Sequence, residues 1–236
     1  MKFVVRYLMI ITFSFVAMCV YSKTVDLVIV TTTGERVIRS VSDDVREWGF
    51  AQTDTTKFQI LTVENIEVLT QVEFIEFINV RTIQDYSFLS KLPNLRQLSL
   101  GGCTVYDLKF LESLTNLEHL SLHIFIPEHI IDKIKSTPID LLNLKKIKYI
   151  SFNSIPVPPF INVQNRPYLI LDNNNIESLS VCDLELLSNY SLVTMRYNPI
   201  VNNQAERLKC AGLPIIFDPG TTLPNEVVRH MRGELE

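Results

Sequence analysis

The sequence predicts an α/β solenoid, a chain wound into stacked coils with a parallel β-sheet along one side and short helices and extended segments along the other. Two observations predict it. A block near residue 85 repeats itself 22 residues later, and each copy runs into a stretch whose leucines alternate with polar residues. A unit of that length cannot bury its own apolar row, so neighbouring units must stack. Composition agrees: of 236 residues, 47% are hydrophobic and 20% charged. That supplies a core and excludes wholesale disorder. With 22 Lys plus Arg against 26 Asp plus Glu, the chain offers nucleic-acid phosphates little to hold.

The chain opens with Lys2 and Arg6, then an uncharged run from Tyr7 to Tyr21, with Val20 and Ser22 placed for a cut before Lys23. This is the form of a secretory signal over residues 1–22. The run of 15 residues is short for a membrane span, which takes about 20. Lipid attachment at Cys19 is disfavoured by the bulky Met18 before it. An exported chain beginning at Lys23 has a net charge of −6, no stable span, and three cysteines, Cys103, Cys182 and Cys210. Three cysteines allow at most one bridge within the chain, which argues against a disulfide-built scaffold and leaves Cys182–Cys210 as a candidate bridge.

Residues 23–60 read as an N-terminal cap. Val25 to Val30 and Val37 to Val41 flank Gly34, which predicts a β-hairpin. Residues 42–48 follow with Ser42, Asp43 and Asp44 as capping candidates, which predicts a helix.

The repeats occupy residues 61–200. Ile83-Gln84-Asp85-Tyr86-Ser87-Phe88-Leu89-Ser90-Lys91-Leu92-Pro93-Asn94-Leu95 matches the segment from Val105 to Leu117, with Asp, Phe-Leu, Leu and Asn-Leu in register. Strands follow at Leu95-x-x-Leu98-x-Leu100 and Leu117-x-x-Leu120-x-Leu122. The frame extends to strands around Phe77, Phe152, Leu171 and Met195, at intervals of 23, 22, 30, 19 and 24 from Phe77 through Leu100 and Leu122 to Met195. The long interval holds a helix after Pro127. In the short one, Pro156, Pro158, Pro159 and Pro167 forbid a helix and predict an extended return. Three residues beyond each inward strand residue lies a bend. Asn174 and Asn198 there can satisfy backbone groups buried from water, and Cys103 takes the place as a small thiol. Val80, Phe125 and Ile155 trade that role for packing. Residues 201–236 read as a C-terminal cap and tail, with a helical turn from Ala205 to Lys209.

These residues resemble the leucine-rich repeat family, whose pattern is L-x-x-L-x-L-x-x-N/C-x-L. The D-x-x-F-L-x-x-L-x-N-L segment is most similar to the 22-residue class of internalins and of a protein phosphatase regulatory subunit. The resemblance implies a curved sheet whose concave face is the contact surface.

For chemistry the sequence offers little. It contains no phosphate-binding glycine loop, nucleophile elbow or paired metal-ligand motif. No catalytic, cofactor-binding or metal-ligating residue is assigned. His119 and His123 share one strand face about 13 Å apart, too far for one ion. Asp43, Asp44 and Glu47 form the only acidic cluster near the N-terminus, and a helix start explains them. Asn189-Tyr190-Ser191 is a glycosylation sequon of one match.

The outward strand positions remain. One column reads Phe74, Gln97, His119, Tyr149 and Tyr168; the next contains Ser99, Ser121, Ser151 and Thr194, with Ile170 between the last two. Amphipathic rings beside small hydroxyls suit contact with a protein. The expectation is therefore an exported, non-catalytic protein that binds a protein partner through these residues. The resemblance to the phosphatase regulator also implies an alternative, a regulatory or scaffolding subunit of an intracellular enzyme.

Overall fold

The computed structural model describes residues 23–52, 60–153, 159–200, 213 and 215–217. The expected signal segment, Ile155, Pro156, Pro158, the turn from Ala205 to Lys209 and Cys210 lie outside the described residues, and the Cys182–Cys210 bridge with them.

Alternation of period two places the repeat leucines on one flank of a strand, and the strands assemble accordingly. After the hairpin strands β1 (Thr24–Thr31) and β2 (Arg36–Ser42) come β3 (Glu47–Ala51), β4 (Ile60–Glu64), β5 (Phe74–Ile78), β6 (Gln97–Thr104) and β7 (His119–Phe125). Helix α1 (Glu128–Ser136) precedes β8 (Ile139–Asp140), β9 (Tyr149–Asn153), β10 (Phe160–Ile161) and β11 (Tyr168–Ile170). Helix α2 (Val181–Leu187), β12 (Leu192–Thr194) and β13 (Ile215–Ile216) complete the order.

Eight of these strands form one sheet in the order β13-β12-β11-β9-β7-β6-β5-β3. Every neighbouring pair in it is parallel. The chain is thus the α/β solenoid of leucine-rich-repeat type that its repeat predicts. The register is also the expected one: Ile75, Leu98, Leu120, Ile150, Leu169 and Val193 pair in turn across six strands. Leu98 is 1% exposed, and Leu120 and Ile150 are fully buried.

The repeated residues outside the strands each have a task. Asp85 Oδ1 accepts from the Ser87 amide at 2.7 Å, Asp107 Oδ1 from Lys109 at 2.8 Å, and Asp140 Oδ1 from Leu142 at 2.9 Å. Such Asx turns start the short 3₁₀ helices Ser87–Lys91 and Lys109–Ser113, which bury Phe88 and Leu89, then Phe110 and Leu111. The Asn before each leading leucine binds the preceding coil: Asn94 Nδ2 donates to Thr70 O at 2.7 Å and Asn116 Nδ2 to Pro93 O at 2.8 Å.

At the bends, Asn198 Oδ1 accepts from the amides of Asn174 (2.8 Å) and Ile176 (3.0 Å). Its Nδ2 donates to Leu171 O (2.8 Å) and Met195 O (2.9 Å). Asn174 Nδ2 donates to Phe152 O at 2.7 Å, and the Cys103 thiol donates to Phe77 O at 3.3 Å. Phe77 and Phe152 are equivalent strand residues, so thiol and amide do the same work. Val80 is buried, as a packing substitute should be. Phe125 departs from expectation: it is 59% exposed, and Ile124 beside it is buried. Strand β7 runs straight through this position and keeps alternating, so its seventh residue faces out instead of turning in. Its neighbour β6 follows only by a bulge, where Gly102 has φ +65° and Thr104 pairs with Phe125. The left-handed backbone favours glycine there, and a Cβ on Gly102 would sit 2.3 Å from Asn79 Oδ1, which would have to move aside.

The ends hold a second correction. The hairpin forms, and β4 joins it in a three-stranded antiparallel sheet, β2-β1-β4. Residues 42–48, expected to be a helix, are the end of β2, a turn and the start of β3. Glu47-Trp48-Gly49-Phe50-Ala51 has period-two alternation, and β3 pairs with β5 as the first strand of the large sheet. Phe50 lies 4.7 Å from Trp48 and 5.9 Å from Phe77, centroid to centroid. A seven-residue helix has too few internal bonds to compete with that burial. Helix α1 forms where Pro127 predicts it, with Pro127 at its N-cap. Past Pro159 only Phe160 and Ile161 are extended, as β10, which pairs in parallel with β8; Asn162, Asn165 and Arg166 then take left-handed backbone, so the expected extended return is broken there.

Candidate sheet-face interaction site

Side chains that do not point into the core stand on the open face of the sheet, and the register arranges them in columns. Phe74, Gln97, His119, Tyr149, Tyr168 and Leu192 are consecutive partners across six strands. Glu76, Ser99, Ser121, Ser151, Ile170 and Thr194 form the next column. Strand spacing of about 4.8 Å lets flat side chains in a column touch. His119 stacks on Tyr149 with centroids 5.0 Å apart and planes at 11°, and Tyr149 meets Tyr168 at 5.3 Å. Three rings on adjacent strands thus form a continuous ledge, fixed by backbone pairing before any ligand arrives.

The serine column lies beside it. Ser99 Oγ donates to Glu76 Oε1 at 3.3 Å, and Ser151 Oγ lies 3.0 Å from His123 Nε2. Phe74, Gln97, Ser99, His119, Ser121, Tyr149, Ser151 and Tyr168 are all half-buried, so their outer surfaces reach solvent.

Ile170 and Thr194 do not belong to that surface. Both stand in the column, but they are 5% and 1% exposed. Tyr149, Tyr168, Leu192 and Ile216 pack around Ile170. The cover comes partly from β13, whose Ile216 pairs with Thr194. One strand beyond the six expected therefore shuts the C-terminal end of the face. Next to it, Arg196 Nε and its amide hold Asp172, both at 2.8 Å, a clasp whose two side chains are 14% and 7% exposed.

Along the N-terminal margin runs a row that sequence reasoning missed. Arg46, Glu73, Arg96, Glu118 and Lys148 each stand immediately before one of the successive strands β3, β5, β6, β7 and β9, and each carbonyl from Arg46 to Glu118 accepts from the next coil. Their charges alternate. Glu73 bridges Arg46 (3.2 Å) and Arg96 (3.3 Å), while Glu118 bridges Arg96 and Lys148, both at 2.7 Å. The signal was in the sequence: these residues precede the first outward position of each strand by one. Glu118 is 8% exposed, and the Arg96 hydrogen bond, reinforced by Lys148, holds its carboxyl down at about 2, against an ordinary 4.5.

A depressed carboxyl stabilises the fold wherever the unfolded chain is also ionised. That contribution is complete above about pH 5 and drains away as pH falls through 4.5 toward 2. After allowing for solvent around Arg96 and Lys148, it is worth about 2 kcal/mol. Urea midpoints from pH 7 to 2.5 are expected to fall more steeply for wild type than for Glu118→Gln; parallel curves would show that the clamp contributes nothing.

Among the described residues, no group of three or more His, Cys, Asp or Glu could hold a metal ion. No described helix is long and apolar enough to cross a membrane. No family model matches the chain, and no curated protein matches it. Among solved structures it is similar to an internalin from Listeria monocytogenes, at 19% identity and a TM-score of 0.38. The match covers 70% of this chain and 52% of that one, so this chain spans about half the internalin's length. The fold assignment rests on the parallel sheet itself.

Proposed function

We propose that this chain is an exported, non-catalytic repeat protein that binds another protein through the open face of its parallel sheet. The ring ledge of His119, Tyr149 and Tyr168 carries the reading. Rings already held against each other lose little freedom on binding, and each brings large contact area with a polar edge. The serines beside the ledge leave room for a partner's side chains. A secretory-type segment at residues 1–22 supports the extracellular setting.

Ser121 stands near the centre of the face, half-buried in the column beside the ledge. Ser121→Arg is expected to abolish retention of the partner from an extracellular fraction, while its melting temperature stays within about 2 °C of wild type. Undiminished retention with an intact fold would remove the face from the proposal.

A further inference from the structure

At the margin of the face, where β9, β11 and β12 begin, a cleft of about 510 Å³ opens between the loops. Tyr149 and Tyr168 form one wall; Lys145, Lys146, Lys148 and Arg166 are among the other lining residues, with Glu118 as the only acid in the lining. Four cations gather around one carboxylate in a chain that carries 26 acids against 22 bases.

The single carboxylate is already engaged. Its Oε1 accepts from Arg96 and its Oε2 from Lys148, each at 2.7 Å, so neither oxygen serves Lys145, Lys146 or Arg166. Among the described residues, Lys146 Nζ donates to the neutral Asn116 Oδ1, at 2.8 Å, and forms no ion pair. The Lys145 ammonium meets no acidic partner among the described residues. Arg166 is anchored through Tyr190 O at 3.1 Å, and its backbone sits at φ +46° after Asn165 at +60°. A left-handed arginine costs on the order of 1 kcal/mol, which the chain spends to set a guanidinium at the cleft wall.

We infer that this cleft binds an acidic peptide segment, the carboxylate-bearing part of the protein that lies on the ring ledge. The inference rests on the sheet-face reading and adds the partner's chemistry. Carboxylates entering the cleft would meet the ammonium groups and the forked donors of Arg166, while the peptide's remaining length continues over Tyr168 and Tyr149, which belong to both surfaces. The charge balance favours a short acidic segment over an extended polyanion. A long sulfated chain would leave the cleft and run across a protein of net negative charge, whereas a few residues stay within it.

The probe is a fluorescent hexaglutamate peptide titrated with the full chain at 50 and 200 mM salt, beside a heparin-derived oligosaccharide and inorganic phosphate. Expected results are saturable peptide binding, at least fivefold weaker at the higher salt, and at least a tenfold further loss in Lys145→Glu. Lys145 is exposed, so that variant keeps the fold, and Arg166→Lys should weaken binding by a smaller factor. Peptide binding untouched by Lys145→Glu would overturn the inference, as would binding of the oligosaccharide or phosphate without the peptide, or no binding at all. Ser121→Arg separates the two readings, because Ser121 does not line the cleft. If that variant loses the partner while hexaglutamate never binds wild type, the cleft assignment falls and the face survives. If hexaglutamate binds through Lys145 while partner retention ignores Ser121→Arg, the reverse holds.

Discussion

Leu100→Asp is expected to abolish the cooperative thermal transition and leave a chain without ordered sheet by circular dichroism. Leu100 is fully buried, and its register partners Phe77 and Leu122 are buried too. Among the described residues no buried cation could pair with a carboxylate there, and an unpaired buried charge costs more than about 4 kcal/mol. Coils in a solenoid are stabilised chiefly by their neighbours, so a failed middle coil releases both flanks. A domain of this size has only about 5–15 kcal/mol in hand. Leu100→Ala should cost less, about 2–5 kcal/mol, as a cavity in an otherwise intact structure. Gln97→Asp, on the open face of the same strand, should stay within about 1 kcal/mol of wild type. A normal melt for Leu100→Asp would mean that the two flanks of the sheet have been exchanged.

Asn198→Ala is expected to lower the urea midpoint by the equivalent of about 2–4 kcal/mol. The amide links four backbone groups of two coils, the amides of Asn174 and Ile176 and the carbonyls of Leu171 and Met195, with a longer bond of 3.4 Å to Arg196 O. Truncation strands them at a bend where Leu171 and Ile176 are fully buried and water is scarce. Asn198→Asp supplies a sharper test. It keeps the acceptor but turns a second oxygen toward two carbonyls, so it should rescue little or nothing. Full recovery with Asp would show that the donated bonds carry no weight.

The parts of this fold legible in the sequence are those that recur. Leu98 and Leu120, or Phe88 and Phe110, repeat at 22 residues because each solves the same burial problem in the next coil. Asn174 and Asn198 were legible for the same reason. Parts that occur once were harder. Glu47 to Ala51 has a strand's alternation, yet its acidic start and short length also fit a capped helix, and only the exposed flank of β5 decides between them. The straight course of β7 through Phe125 depends on a bulge in its neighbour, which no local pattern in β7 encodes. Site residues divide the same way. The two columns follow from register alone, whereas the burial of Ile170 and Thr194 depends partly on Ile216, which lies past residue 200, where the repeat pattern read from the sequence ends. The charged margin and the lysines at 145, 146 and 148 are visible in sequence, but their grouping depends on which coil stacks on which, and single charges carry no periodic signal of that.

The alternating margin from Arg46 to Lys148 also bears on how the winding is kept in order. Successive repeats are alike enough that a folding chain could omit one and dock on the next. Such a skip would set Glu73 against Glu118 and Arg96 against Lys148, like beside like, where the correct sequence of turns sets opposites together. Similarity between repeats invites miscounting; the sign change from each to the next penalises it, most strongly in dilute electrolyte, where the repulsion is least screened.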